Sequence, residues 1–497
     1  MPAIRSSARH ILVAALLMAA SPCLAAANDP ELLQILLDNG SITQEQYDSL
    51  SGKEELEAKD LGVEAQQALP PVSAAGDTSG SGDTGSDTLA DRIDRMINER
   101  LNAEFPVKAS YGKKGFRLET RDGNWQTNLQ WRFQFRYTYP FRGDPRRVRD
   151  FSAEDESTFE TRRIRMKIGG HGYRPWLKYY FEVDLQPTRE SDDSSSNSST
   201  RVIDWRIDLA KYEEVGLRVG QWKIDYNRER VDSSGRQQFV ERSIVNRIFT
   251  IDRQMGVSLR GRLFKGTPAD LRYYLGVFNG EGRGVANDDD NMMYVGRLQW
   301  NFLGRDLPLR QTDVERTEHP AASLAFGAAT HTGVCTRWSS GGCGRLDAYE
   351  RPADANQGQY RIHQAVQEFA FKWQGFSVQQ EFHWKRVIDR QFDNGNARNQ
   401  TNLTGLYAQT GYFFNEIFDF VPEELELAFR YAYVREPNEN DVLVDNLRQE
   451  FTAGANWFFW GHNNKLTLDY SYLTLDDDFL SRNVSSSRVR FQWDVSF

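Results

Sequence analysis

Past its first residues the 497-residue chain has no apolar run of the about 18 residues that a membrane-crossing helix needs, which excludes a helical membrane protein. Cysteine is nearly absent, at 3 residues, and no C-x-x-C-H segment occurs, so no haem is attached to this chain. His331, His363 and His383 are scattered and no nucleophile–base spacing accompanies them, so an enzyme is not expected. Mean hydropathy is low, at -0.64. That value does not exclude a β-barrel, because strands that alternate polar and apolar residues average to a hydrophilic chain. What the chain has in excess is aromatics, with 30 Phe, 20 Tyr and 12 Trp. A barrel places such residues in its interfacial girdles.

The N-terminus reads as an address. Arg5 and Arg9 precede the apolar stretch Ile11 to Ala20, and Ala25, Ala26 and Ala27 supply small residues for cleavage, so residues 1–27 are expected to be a signal peptide. Cys335 and Cys343 then remain, in an oxidising compartment, as a disulfide stapling one loop or as free thiols. No metal ligands lie near them in the sequence, and neither a metal site nor a cofactor is expected.

Charge is uneven. Residues 28–110 hold about 6 basic and about 17 acidic side chains, whereas the remainder balances at about 53 of each. Within the acidic part, residues 28–69 read as two short helices broken at Asn39-Gly40, and the second can be capped by Thr43. Residues 70–88 read as a Gly/Ser/Asp/Thr linker. Over 89–110, Leu89, Ile93, Met96, Ile97 and Leu101 recur at spacings of three and four. That face suits either a helix on the protein's own surface or a short coiled coil between subunits.

From Trp125 the period becomes two. In WQTNLQWRFQFRYTY, Trp125, Leu129, Trp131, Phe133, Phe135, Tyr137 and Tyr139 share one parity, and Gln130, Arg132, Gln134 and Arg136 the other. About sixteen such segments follow to Phe497, each of spanning length, with long polar loops alternating with short turns. The stretch Gly304 to Ala321 is the exception among the turns. The expected fold is all-β, an antiparallel transmembrane barrel over 111–497. The final strand ends on Phe497, as outer-membrane strands do when they carry an insertion signal.

Parity also lists the lumen. Arg132, Arg136, Arg163, Arg165, Lys167, Arg260 and Arg262 belong to an inward set with roughly seven more basic than acidic members. Inward Arg–Asp pairs brace a barrel, but a surplus concentrates anions in a water-filled tube. The segment 225–254 is too long for a hairpin and carries both arginines and Phe239, Val240, Ile244, Val245, Ile248 and Phe249. Apolar residues are unfavourable in an exposed loop, so it is expected to fold inward and narrow the lumen.

The stretch VGQWKIDYNRERVDSSGRQQFVERSIVNRIFTIDRQMGV resembles the loop signature of the phosphate-selective porin family, porins O and P. LLDNGSITQEQYDSL, TFETRRIRMKIGG and the aromatic C-terminus are similar to that family too. The resemblance implies a homotrimer of sixteen-stranded barrels in the outer membrane of a Gram-negative bacterium, surrounded by its lipid. It also implies a periplasmic N-terminal coiled coil and passive conduction of small anions, with no nucleic-acid partner. By position, Arg132, Arg162, Arg163, Asp204, Arg230, Ser233 and Ser234 match its phosphate site. Arginine forks suit phosphate oxygens, and hydroxyls donate to the rest. There are departures: Gly235 stands where phosphate-specific members carry lysine, Arg230 replaces lysine, and Arg162 has the outward parity of Ile164 unless the strand is bulged. The alternative is a structural or interaction barrel, a sheath or adhesin without solute selectivity.

Overall fold

The computed structural model describes residues 106–152, 156–185, 200–287, 289–391, 400–441 and 443–497. The expected signal peptide, helical segments and linker lie outside them, except at 106–110, where a strand begins at Val107 inside the stretch expected to be helical.

A small hairpin comes first, β1 (Val107–Gly112) and β2 (Gly115–Thr120). Eight spanning strands follow: β3 (Gln126–Tyr139), β4 (Thr158–His171), β5 (Leu177–Asp184), β6 (Arg201–Leu209), β7 (Gly216–Lys223), β8 (Arg253–Leu263), β9 (Leu271–Phe278) and β10 (Met293–Trp300). After β11 (Ala321–Gly333), a short hairpin, β12 (Arg337–Ser339) and β13 (Gly342–Gly344), interrupts the series. It resumes with β14 (Tyr360–Trp373), β15 (Phe376–Asp389), β16 (Gln400–Tyr412), β17 (Leu425–Pro437), β18 (Asp445–Phe458), β19 (Asn464–Asp477) and β20 (Arg482–Ser496).

Every neighbouring pair is antiparallel, and β20 pairs back onto β3, with Trp493 opposite Phe135, which closes a 16-stranded barrel. Closure removes the sheet edges that lipid cannot satisfy. No helix among the described residues is long and apolar enough to cross a membrane. The strands do so with Phe133, Phe181, Trp205, Phe326, Phe429 and Trp493 exposed on the outer face. Phe497 exchanges backbone hydrogen bonds with Trp131 at 2.9 and 3.1 Å, seating the last residue beside β3.

Two irregularities matter inside. The register of β3 against β4 shifts between Gln134 and Phe135, so that Gln134 faces Arg163, Phe135 faces Thr161, and Arg162 is the extra residue. This bulge supplies the exception to parity: Arg162 Nε lies 2.9 Å from Glu241 Oε1 inside the barrel. A second shift, between Glu182 and Val183 of β5, leaves Asp204 facing Glu182 across the β5–β6 ladder.

Candidate functional site

The segment between β7 and β8 folds into the lumen. It contains two short helices, α1 (Arg228–Val231) and α2 (Ile244–Phe249), and buries Phe239, Val240, Ile244, Val245, Ile248 and Phe249. Irregular backbone buried inside a barrel must have partners for its polar groups. The wall from β14 to β19 supplies them. Carboxylates accept from the loop's N–H groups: Glu368 from Arg228 (3.2 Å), Glu381 from Glu229 (2.6 Å), Asp469 from Val240 (2.9 Å) and Glu450 from Ile244 (3.0 Å). Wall donors meet its carbonyls, Asn456 to Gln238 at 2.8 Å, Gln364 to Phe249 at 3.1 Å and Lys385 to Ile248 at 3.1 Å. Inward glycines make room for the loop's rings: a Cβ on Gly405 would stand 2.6 Å from Phe249, and one on Gly454 3.1 Å from Phe239.

Two more segments brace the loop. From the short-turn end, the stretch between β10 and β11 reaches in, with Gln311 Oε1 accepting from Gln238 N at 2.7 Å and Pro308 O accepting from Arg228 Nη1 at 2.9 Å. From the opposite end comes the β12–β13 hairpin, closed by a disulfide between Cys335 and Cys343. Lys385 donates to Thr336 O of that loop at 2.7 Å while also holding Ile248 O, so one ammonium ties hairpin and inward loop together.

Along β3 to β9 the lumen stays open, and two cavities meet there. The one towards the long loops, of about 390 Å³, is lined by Arg162, Arg163, Arg165, Arg201, Lys223, Arg230, Arg242, Arg247, Arg253, Arg283 and Arg337, with Asp184 the one carboxylate among its described lining residues. The one towards the short turns, of about 700 Å³, mixes Arg165, Lys167, Lys178, Arg206, Arg218, Lys223, Arg236 and Arg260 with Glu182, Asp204, Asp208 and Asp225. Arg165 and Lys223 line both, and the serine pair straddles them, Ser234 on the first and Ser233 on the second.

Most of the sequence-derived set converges on this junction. Arg132 is buried behind it, donating to Ser233 Oγ and Ser234 Oγ, each at 2.8 Å. Both hydroxyl oxygens are thus used as acceptors, which leaves their protons to be donated into the cavities. A Cβ on Gly235 would stand 3.0 Å from Arg132 Cδ and Nη1, so the missing side chain there is the room that Arg132 occupies. Arg163 donates to Gln134 at 2.8 Å, and Arg165 pairs with Glu182 at 2.8 Å. Asp204 is held by both arms of Arg253 at 2.9 Å, and Arg230 pairs with Asp252. Arg260 pairs with Asp225 at 3.3 Å. Arg262 corrects the parity reading: it lies at the short-turn rim against Asp270, 2.9 Å away, apart from the junction.

Glu241 of the inward loop gathers Arg136 and Arg162 at 2.9 Å and Arg163 at 3.8 Å. Burial alone would raise its carboxyl, and these three cations outweigh that and hold it well below the usual range. By contrast, Lys223 and Arg242 have no described carboxylate within ion-pair distance: Lys223 donates to Asp232 O at 3.3 Å, and Arg242 to Glu229 O at 2.8 Å and Asp232 O at 2.7 Å. Both side chains line the first cavity. Burial lowers Arg242 to about 10, still cationic at neutral pH. Sequence reasoning did not single out Lys223, Glu241, Arg253, Arg283 or Arg337 as site residues. Lys223 ends a strand and the other four lie in loops or at a strand start, where a two-residue period carries little information.

A closed barrel with an apolar outer face, a charged lumen and an inward loop is the architecture of an outer-membrane porin, a channel. The chain belongs to the family described as phosphate-selective porin O and P, whose model matches residues 135–495. No curated protein matches it. Among solved structures it is similar to the outer-membrane channel DcaP of Acinetobacter baumannii, at 12% identity over 75% of this chain and 97% of that one, with a TM-score of 0.45. An anion-selective porin from Comamonas acidovorans shares 10% identity over 75% and 99%, with a TM-score of 0.44. The trimer form of OmpT, from Vibrio cholerae, shares 9% over 75% and 99%, with a TM-score of 0.43.

Proposed function

We propose that this porin is a passive, anion-preferring channel for small oxyanions, phosphate or polyphosphate among them, with the junction of Arg165, Lys223, Ser233 and Ser234 as its selective point. The observation that carries the reading is the first cavity, whose described lining has eleven basic side chains and one carboxylate. In a narrow water-filled space with low-dielectric walls, such a field draws in anions and repels cations. At the junction, guanidinium and ammonium groups supply charge, and the two hydroxyls, already oriented by Arg132, donate to the remaining oxygens. Asp204, tied to Arg253, keeps part of the charge compensated, which favours release over capture.

The chain is proposed to assemble as a trimer in the outer membrane. Its acidic N-terminal segment then stands in the periplasm after signal cleavage, as the family resemblance implies.

The experiment is phosphate block of chloride current through single channels. Millimolar phosphate is expected to reduce the current, and Ser233→Ala with Ser234→Ala to weaken that block several-fold while chloride still flows. Unchanged current at millimolar phosphate would leave a general anion pore and discard the oxyanion site.

A further inference from the structure

The outer wall of the barrel changes character on one side. Across β9, β10, β11, β14 and β15 the cross-strand partners Leu275, Gly296, Ala328, Ala365 and Trp384 form one row. Its middle members are small, so the row is a notch, and it belongs to an apolar groove of about 810 Å³ on the outer face. One row nearer the long loops the partners are Tyr294, Thr330, His363 and Arg386, and beyond them Arg361 faces Thr332. Arg361, His363 and Arg386 thus stand together at the long-loop edge of the groove.

Their height follows from the length of a crossing strand. Trp373 lies at the short-turn end of β14, and about 9 to 11 residues of tilted strand cross the apolar core of a bilayer. Counting back along β14 reaches Ala365 to His363, level with Trp384 on β15. Aromatic girdles mark such borders, and the long loops of outer-membrane barrels face the exterior. The basic cluster therefore lies where acyl chains give way to headgroups in the outer leaflet.

The charge of the cluster is not compensated by the protein. Arg361 donates to Thr332 Oγ1 at 3.3 Å, and Arg386 donates to Asn402 Oδ1 at 3.1 Å while lying 5.1 Å from the centre of the Trp384 ring. Neither has a carboxylate within ion-pair distance among the described residues. The carboxylates of β10, β11, β14, β15 and β16 are Glu368, Glu381 and Asp389, all of inward parity. His363 Nδ1 and Thr330 Oγ1 are 3.0 Å apart, which leaves Nε2 for an outside partner. Directly opposed residues of an antiparallel pair lie about 5 Å apart, and residues two apart on one strand about 7 Å, so all three side chains can reach one phosphate.

We propose that Arg361, His363 and Arg386 bind a phosphate of lipid A, the phosphorylated glucosamine lipid of the outer leaflet, with one of its acyl chains in the notch over Gly296, Ala328 and Ala365. Guanidinium forks match phosphate oxygens, and the notch supplies apolar contact directly beneath them. A free anion would use the cations and leave the notch unfilled. A lipid with a phosphorylated headgroup answers both features at once. This site faces the membrane and is separate from the lumen, so it stands whether or not the pore prefers anions.

The test is native mass spectrometry of the purified full-length porin released from detergent micelles, after loading with lipid A that carries its phosphates or with the dephosphorylated form. The phosphorylated lipid is expected to stay bound and the dephosphorylated one to be lost. Arg361→Gln with Arg386→Gln should weaken retention at least about tenfold, because both cations near the membrane surface contribute. Ala328→Trp, which fills the notch and spares the cations, should weaken it several-fold. Heat-modifiable gel migration certifies that each variant is a folded barrel. Equal retention of the two lipids, or unchanged retention in the folded double variant, would overturn the proposal. So would full displacement of the lipid by millimolar inorganic phosphate, the mark of a free-anion site, or conversion of the oligomer to monomers by the double variant, the mark of a subunit contact.

Discussion

The two sides of the lumen carry inward charges at the same parity, yet they use them differently. Along β14 to β19 the carboxylates Glu368, Glu381, Glu450 and Asp469 accept hydrogen bonds from loop backbone, and that side is filled. Along β3 to β9 basic side chains outnumber carboxylates, and that side stays open. A barrel whose inward acids and bases all paired would be braced but featureless. Here Glu368, Glu450 and Asp469 dock the loop while still holding Arg297, Arg430 and Arg490, whereas on the open side Lys223 and Arg242 have no described carboxylate within ion-pair distance. The teaching is that selectivity comes from where the charges are partitioned, more than from their sum.

The comparison breaks most severely if charge is removed at the junction. Arg165→Gln with Lys223→Gln is expected to lower the anion-to-cation permeability ratio at least about fivefold, read from reversal potentials, because the field of a narrow pore is set by the groups nearest it. Unpinning the filled side should come next. Glu381→Ala with Glu450→Ala strips the acceptors of the Glu229 and Ile244 N–H groups. Each loss is expected to cost about 1 to 3 kcal/mol of loop docking, seen as protease cleavage within 224–252 and noisier, larger conductance. A smaller effect is expected for Gly405→Ala, whose Cβ would meet Phe249 at 2.6 Å. Overpacking of about 1 to 3 kcal/mol should loosen α2 with the barrel intact, measurable by the same proteolysis.

The smallest effect concerns pH. Burial, reinforced by Glu381, pushes the Glu229 carboxyl of the loop up from 4.5 to about 7. A group whose pKa is higher docked than released stabilises docking fully below 4.5, and that contribution is lost as pH rises through about 7. Loop release should therefore increase over that window, and Glu229→Gln should flatten the profile.

Much of this was legible in the sequence. Two-residue alternation marked the strands and their inner faces because the pleat fixes side-chain direction, and the apolar residues of 225–254 marked an inward loop because nothing else could bury them. What alternation could not tell was which wall receives that loop. Glu368 and Arg297 have the same inward parity, and only strand register around the closed barrel decides that Glu368 accepts from Arg228 N while also pairing with Arg297 at 2.6 Å. Arg162 could be placed only by the bulge, an insertion of one residue that a periodic reading treats as noise. Arg262 failed for the opposite reason: its parity is inward but its height along β8 puts it at the rim.

The central claim is that partitioned charge makes the open side selective. Its most direct test is the reversal potential of single channels of the purified protein in a KCl gradient. A potential favouring Cl⁻ is expected; one favouring K⁺, or an absence of conductance, would contradict the account.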